Sequence, residues 1–251
     1  MEIVNRPSPN RAVGRQNQLP DFIVCHITGG SFTSAINTIT NPASQVSYHF
    51  VVSRDGTVVQ AVNIRDTAWA NGTTINGDNR DNKHSTIPVI RSRRRNANQY
   101  TVSIGFADSS AGELSAAQLA AGVNLVLHIR SQVKEIYGLE IPMEKSNVIG
   151  HHEITPITRP FCPGPRFPFG ELLQRVNEKL SQPQNPISQP QQNIPLQQVQ
   201  TPNSAPSSWA IEAWSWGKGL GLTDGTNPQG IPTREQMITL LHRYHLLKAT
   251  G

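Results

Sequence analysis

The chain has 251 residues, a formal net charge of +5 and a pI near 9.5. This length allows one substantial domain and a smaller one, and the basic charge favours an anionic partner such as nucleic acid, a membrane surface or a bacterial wall. Its two cysteines are too few for a disulfide scaffold, although one bridge or two free thiols both remain open. No run approaches the roughly 20 apolar residues of a membrane span, and the N-terminal residues lack the apolar core of a signal peptide.

Strand patterns recur through the first two thirds of the chain. The apolar run FIVCHI at residues 22–27 is typical of a buried strand. SYHFVV at 47–52 leads through Arg-Asp-Gly into TVVQAV, which predicts a hairpin. TVSIGFA at 101–107 and VIG at 148–150 predict two further strands.

Helical patterns fill the spaces between these strands. A helix is predicted over residues 114–137, with Ser115 and Gln118 at capping-box spacing and Gly138 after its end. A closing helix is predicted at 170–180. The expected fold class is therefore α/β, with a central mixed β-sheet flanked by helices.

A change of composition separates this region from the end of the chain. Residues 181–208 contain six prolines and eight glutamines but no Asp, Glu, Lys or Arg. Such a segment buries too little apolar surface to offset the entropy of ordering it, so it is interpreted as an extended linker. We expect a main domain at 1–180, the linker at 181–208, and a small module at 209–251.

The small module is predicted to be a helix–loop–helix. Its helices are expected at 209–220 and 232–248, and Thr233 with Gln236 form a second capping-box pair. A core of this size is marginal by itself, so the module is expected to pack on a partner, another copy or the main domain.

The basic run IRSRRR at 90–95 has two interpretations. It is either a solvated loop or a contact for an acidic polymer. The chain has no helix-turn-helix, zinc-finger or RNA-binding signature, so no nucleic-acid partner is expected.

Three residues of metal-binding types stand where predicted strands meet loops. His26 ends the first apolar strand, His151 follows VIG, and Cys162 lies in the next loop. Two imidazoles and a thiolate make a three-ligand zinc site whose fourth position is left to water, as catalytic sites require. A Cys162 nucleophile is the competing chemistry, but it leaves His26 without a role.

These residues belong to an ordered set of motifs: FIVCHITGG, SYHFVVSRDGTVVQAV, AWANG, SIGF and VIGHHEI…CPGP. The set covers about residues 20–180 and resembles the zinc-dependent N-acetylmuramoyl-L-alanine amidases of the type 2 family. That family includes phage endolysins, bacterial autolysins and animal peptidoglycan recognition proteins. The resemblance implies one Zn²⁺ per chain at an edge of the sheet, held by His26, His151 and Cys162.

Five other residues are expected to act at this site. Tyr48 matches a tyrosine that hydrogen-bonds the reacting oxygen, and Arg159 is expected to supply positive charge. Thr28, Trp69 and Asn71 are expected to contact substrate.

Two departures from the family pattern concern the catalytic details. Many bacterial members carry a lysine two residues before the third ligand, where this chain has Pro160 preceded by Arg159. Many also carry a glutamate near the end of the SIGF strand, where this chain has Gly105 and Ala107, with Asp108 just beyond. The proton donor is therefore left open.

Three neighbours of these residues receive structural interpretations. His151 and His152 cannot face the same side of a continued strand, so His152 is expected to be a neighbour of the site. Cys25 is expected to be a buried core thiol, and His49 to be structural.

The tail WAIEAWSWGKGLGLTDGTNP…PTREQMITLLHRY resembles the S-layer homology motif. That family usually has three copies that bind secondary wall polymers, and this chain has one. Wall binding and self-association through the tail are both hypotheses.

Together these features predict a peptidoglycan hydrolase, a phage endolysin that is made in the host cytoplasm and acts at the cell wall after release. The alternatives are a bacterial autolysin and a non-catalytic peptidoglycan-binding module.

Overall fold

The computed structural model describes residues 1–72, 82–93, 95–182, 206, 210–220 and 240. The chain divides into two compact units, residues 1–184 and 185–251. The strands of the first unit are β1 (Ile3–Asn5), β2 (Arg11–Ala12), β3 (Phe22–Ile27), β4 (Phe50–Val52), β5 (Val58–Gln60), β6 (Thr67–Ala68), β7 (Thr101–Phe106) and β8 (Val148–Gly150). Its helices are α1 (Phe32–Thr40), α2 (Pro88–Ser92), α3 (Ala116–Tyr137), α4 (His151–Ile154) and α5 (Phe169–Ser181).

Six strands form one mixed sheet in the order β1-β5-β4-β7-β3-β8. The β4–β5 hairpin is antiparallel, with Phe50 opposite Gln60. The other pairs in this sheet are parallel, and Cys25 of β3 lies between Ile104 of β7 and Gly150 of β8. β2 and β6 form a separate antiparallel pair. The structure confirms the predicted mixed sheet and the predicted hairpin.

One face of the sheet carries the main apolar core. Alternate residues of the central strands point to this face and pack against α3 and α5, as the two-residue period of a strand requires. Ile23, Cys25, Ile104 and Phe106 are among them, and each is fully buried.

The opposite face carries two smaller apolar clusters. One joins Ile39 of α1 to Val51 and Ala107, and the other surrounds Val24 and Tyr100. A polar strip lies between the two clusters, and the candidate site is built there.

The longest helix follows its sequence signals closely. The Ser115 hydroxyl accepts a hydrogen bond from the Gln118 backbone N–H at 3.0 Å, and the Gln118 side chain accepts one from the Ser115 N–H at 3.2 Å. Gly138 caps the C-terminus with a φ of 68°. The predicted capping box and C-cap are both confirmed, because each depends on residues close together in sequence.

Several short elements were missed by the sequence interpretation. Helix α1 has the sequence FTSAINTIT, whose three threonines and two isoleucines favour strands as much as helices. Its signal is Ser31, whose side chain accepts a hydrogen bond from the Ser34 N–H at the N-cap. Strand β1 has three residues and forms by pairing with β5, which is distant in sequence.

The basic run at 90–95 is not simply a solvated loop. Residues 88–92 form α2, with Pro88 at its start. Arg93 then forms an ion pair with Asp21 and lies 4.6 Å from the Tyr100 ring centre. The loop expectation was wrong for this part, because a proline-started turn and a structural arginine are indistinguishable from a basic loop by composition.

In the second unit the structure describes helix α6, Ile211–Gly219, within the predicted range of 209–220. The predicted helix at 232–248 lies outside the described residues except for Leu240, and so does most of the predicted linker. In the described parts of the chain, helices are too short or too polar to cross a membrane.

Candidate active site and metal-binding cluster

His26, His151 and Cys162 come together on the polar strip of the sheet. One ligand atom from each lies within 4.8 Å of the others. The two histidine Nδ1 atoms are 3.1 Å apart, and the Cys162 Sγ lies 4.0 Å from the His26 Nδ1. The three residues form a group that could hold a metal ion.

Strand register explains why the two histidines meet. Cys25 pairs with Gly150 across the parallel strands β3 and β8. His26 follows Cys25 and His151 follows Gly150, so the two histidines lie side by side. Neighbouring strands lie about 4.8 Å apart, and the two imidazole ring centres are 4.5 Å apart. A local pairing thus joins residues 125 positions apart in sequence.

Burial favours the neutral forms of the His26 imidazole and the Cys162 thiol. Burial is the main factor that lowers the pKa of His26, and repulsion from the positive charges of His151 and Arg159 lowers it further. A neutral imidazole is the form that binds a metal. Burial also raises the pKa of the Cys162 thiol to about 11, although the Ile27 backbone N–H donates to it.

Tyr48 lies next to the cluster. Its ring centre is 5.1 Å from that of His26, and burial raises the pKa of its hydroxyl, which therefore stays protonated. Gly105 makes room for this ring, since a Cβ at residue 105 would lie 3.0 Å from Tyr48 Cδ2 and 3.1 Å from Thr28 Cγ2. The absence of a side chain at Gly105 therefore lets Tyr48 lie over the sheet beside His26.

Two members of the cluster, His151 and Cys162, line a cleft of about 1010 Å³. Of the other predicted site residues, Thr28, Tyr48, Trp69 and Arg159 line this cleft. His26 is buried and does not line it. The exposed Arg159 is close enough to act electrostatically on His26, Tyr48 and Cys162. The structure therefore brings a cation, a hydroxyl and the metal-binding group to one cavity.

Asn71 is the predicted site residue that the structure places elsewhere. Its side chain is fully buried, and its amide donates to the Thr101 hydroxyl at 3.0 Å. Its backbone N–H donates to the Asn98 side chain at 2.9 Å. Asn71 supports the segment that carries Trp69 and does not line the cleft, because its side chain points beneath the surface.

The backbone at His152 is helical, whereas a continued strand was expected there. His151 and His152 are on the single turn of α4 and not on a continued strand, so strand alternation is not what separates them. The His152 ring instead turns toward the carbonyl of Cys162, 2.8 Å away.

The other neighbours have structural contacts. His49 accepts a hydrogen bond from the Ser103 N–H at 3.0 Å. Asp108 accepts one from the Phe32 N–H at the start of α1, also at 3.0 Å, and Cys25 is a free thiol in the apolar core.

Sequence interpretation missed much of the cleft wall. Phe161 lines it with 79% of its surface exposed, directly before Cys162. Gln16, Asn98 and Gln99 line another part. The position of Phe161 directly before the candidate ligand Cys162 could have identified it as a cleft residue. The sequence around the three amide side chains gives no such indication.

A family model described as N-acetylmuramoyl-L-alanine amidase matches residues 15–165. Among solved structures, AmpD is similar with a TM-score of 0.50 and 20% identity, over 70% of this chain and 94% of the AmpD chain. This likeness shows a shared fold.

Two other solved structures are similar at lower scores. The catalytic domain of PlyG has a TM-score of 0.47 and 22% identity, over 74% of this chain and 100% of its own. The N-acetylmuramoyl-L-alanine amidase LysC from Clostridium intestinale URNW has a TM-score of 0.47 and 19% identity, over 70% of this chain and 98% of its own. No curated protein matches the chain significantly in sequence.

Proposed function

Because the chain belongs to the N-acetylmuramoyl-L-alanine amidase family, we propose that it hydrolyses the amide bond between N-acetylmuramic acid and L-alanine in bacterial peptidoglycan. One Zn²⁺ per chain would be held by His26, His151 and Cys162. The observation that carries the proposal is the convergence of these three donors beside the cleft, which His151 and Cys162 line.

The donor geometry supports zinc. Two imidazole nitrogens bound to one tetrahedral zinc ion lie about 3.3 Å apart, and the His26 and His151 Nδ1 atoms are 3.1 Å apart. A nitrogen and a sulfur ligand lie about 3.6 Å apart, and the His26 Nδ1 to Cys162 Sγ distance is 4.0 Å. Two imidazoles and one thiolate leave a position for water, as in catalytic zinc sites.

A bound zinc ion would supply a water of lowered pKa and polarise the amide carbonyl. The side chains around it would then stabilise negative charge on the carbonyl oxygen. The protonated Tyr48 hydroxyl can donate a hydrogen bond to that oxygen, and Arg159 adds positive charge at the same end of the cleft. Such placed donors typically contribute about 10²–10³-fold in rate each.

Substrate binding is proposed for the cleft wall. Trp69 and Thr28 line the cavity and would contact the muramoyl peptide. Ser47 fixes the Trp69 backbone from both sides, because its N–H donates to the Trp69 carbonyl and its hydroxyl accepts from the Trp69 N–H. Asn71 would act beneath this segment through its bonds to Thr101 and Asn98.

Metal analysis combined with digestion of purified peptidoglycan tests this function. The proposal predicts about one zinc per chain, new N-terminal alanine and no new reducing sugar. New reducing ends would indicate a glycosidase, and binding without cleavage would indicate a non-catalytic recognition module. Either outcome would contradict the proposal.

The biological setting is proposed from the whole chain. The fold and family fit an endolysin that is made in a host cytoplasm and acts at the cell wall after release, with residues 181–208 as a linker. The S-layer-like tail, residues 209–251, would bind secondary wall polymers and would favour self-association. Pull-down on walls stripped of these polymers, and the mass of the full chain in solution, test the two roles of the tail.

A further inference from the structure

The loop between α4 and Cys162 is exposed, yet it carries a metal-binding residue. Residues 157–161 are all exposed, with Ile157 at 61% and Phe161 at 79%. Hydrogen bonds within the loop run from Arg159 N–H to the Thr155 carbonyl and from Cys162 N–H to the Arg159 carbonyl. These bonds join loop residues to one another, so they do not set the position of Cys162 relative to the sheet.

The Ile27 backbone N–H at the end of β3 donates to the Cys162 thiol, and two hydrogen bonds from His152 join the backbone at the end of this loop to the sheet. The backbone N–H of His152 donates to the Cys162 carbonyl at 2.8 Å. The ring Nδ1 contacts the same oxygen at 2.8 Å. A carbonyl oxygen only accepts, so Nδ1 carries the proton and donates. His152 follows His151 directly, and both are therefore placed by β8.

The surroundings of the His152 ring are shaped to hold it there. A Cβ on Gly150 would lie 2.7 Å from the His152 Nδ1 and Cε1 atoms and 2.8 Å from Pro163 Cδ. Real Cβ atoms do not approach other atoms this closely. The ring therefore occupies the space that a side chain at Gly150 would fill, between β8 and the residue after Cys162.

We infer that His152 is a positioning residue that fixes the Cys162 ligand loop against His26 and His151 through its Nδ1–H bond to the Cys162 carbonyl. This inference rests on the proposed metal site. Because Arg159 belongs to the same loop, the bond also holds the cleft cation in place. Partners that orient metal ligands typically contribute about 10–100-fold to metal affinity.

Zinc affinity of the metal-stripped full-length chain, measured by competition with a chromogenic chelator, tests the inference. His152→Ala keeps the backbone bond but loses the ring, so its zinc dissociation constant should rise about 10–100-fold. In His152→Asn the Nδ2 stands at the position of the histidine Nδ1 and can donate to the same carbonyl. This variant should bind zinc within about threefold of the wild type, as the Nδ1–H bond is restored.

Two further variants separate positioning from general stability. Gly150→Ala keeps His152 but takes the space of its ring, and it should lose affinity as His152→Ala does. His84→Ala removes an exposed histidine in the turn at residues 82–84, away from the cleft, and should leave affinity unchanged. The unfolding midpoint of each metal-free variant shows whether the fold is intact.

Each result is decisive. Wild-type affinity in His152→Ala or in Gly150→Ala would overturn the positioning role. Equal loss in the Asn and Ala variants would overturn it too, because the donated hydrogen bond would not be what matters. A wild-type chain that binds no zinc would overturn the proposed function itself, and with it this inference.

Discussion

On one face of the central sheet, Cys25 of β3 and Ile104 of β7 are fully buried beneath α3 and α5. The next residues along the same strands, His26 and Gly105, point to the other face, beneath the cleft. The first face is continuous apolar core, whereas the second has two small clusters with a polar strip between them. One-residue steps along a strand thus separate groups that stabilise the fold from groups that are proposed to take part in the reaction.

The largest expected effect is loss of a metal ligand from the cleft face. His26→Ala should abolish stoichiometric zinc binding and lower peptidoglycan cleavage by about 10³-fold or more, since a catalytic metal contributes several kcal/mol. Metal content measures the loss of zinc, and release of N-terminal alanine measures the loss of cleavage. Cys25→Ala is the matched control on the core face and should keep its zinc. Equal zinc loss in both variants would contradict the assignment.

The next effect concerns the hydroxyl beside the cluster. Tyr48→Phe should lower kcat about 10²–10³-fold while zinc content stays at the wild-type level, because a placed hydrogen-bond donor is removed. Tyr100→Phe is its control: Tyr100 packs in the other small cluster, where its hydroxyl accepts from Asn82 at 3.0 Å. An unchanged kcat in Tyr48→Phe would show that the hydroxyl takes no part in the reaction.

A substitution on the core face should lower the stability of the fold. Ile104→Ala removes a fully buried side chain from the apolar core and should lower the free energy of unfolding by about 2–5 kcal/mol. Urea unfolding measures the loss. Cleavage by the folded fraction should stay within about twofold of the wild type, as the cavity lies across the sheet from the cleft. A selective loss of kcat would mean that the two faces are coupled.

The smallest effect is expected one residue further along β7. In Gly105→Ala the new Cβ would lie 3.0 Å from Tyr48 Cδ2, so the tyrosine ring must shift by a few tenths of an ångström. Cleavage should fall by about tenfold, because small misplacements of a catalytic group are costly. Stability should change by less than about 1 kcal/mol, since the reduced freedom of the unfolded chain offsets the crowding. A larger loss of stability than in Ile104→Ala would mean that the cleft face, and not the core face, is the more important one for stability.

Local elements were predictable where neighbouring residues decide them. The strand at 22–27, the 53–57 turn of the hairpin and the Ser115–Gln118 capping box all depend on residues within a few positions of each other. The motif order pointed to His26, His151 and Cys162, and the structure brings these three residues together. Short elements such as β1 were missed because their pairing partners are remote in sequence.

Tertiary structure decided the environment of each site residue. Trp69 and Asn71 are two positions apart, yet one lines the cleft and the other is fully buried beneath it. His152 has its role only because the chain turns helically after β8 and returns Cys162 to it.

The sequence by itself therefore determined the strand and helix signals, the family and the three candidate ligands, since these depend on residue type, periodicity and motif order. Which donors meet, how far Tyr48 lies from His26, and what holds the Cys162 loop were decided only by the folded chain. The physical reason is that strand register and close packing join residues more than 100 positions apart, and local preferences carry no information about such distances.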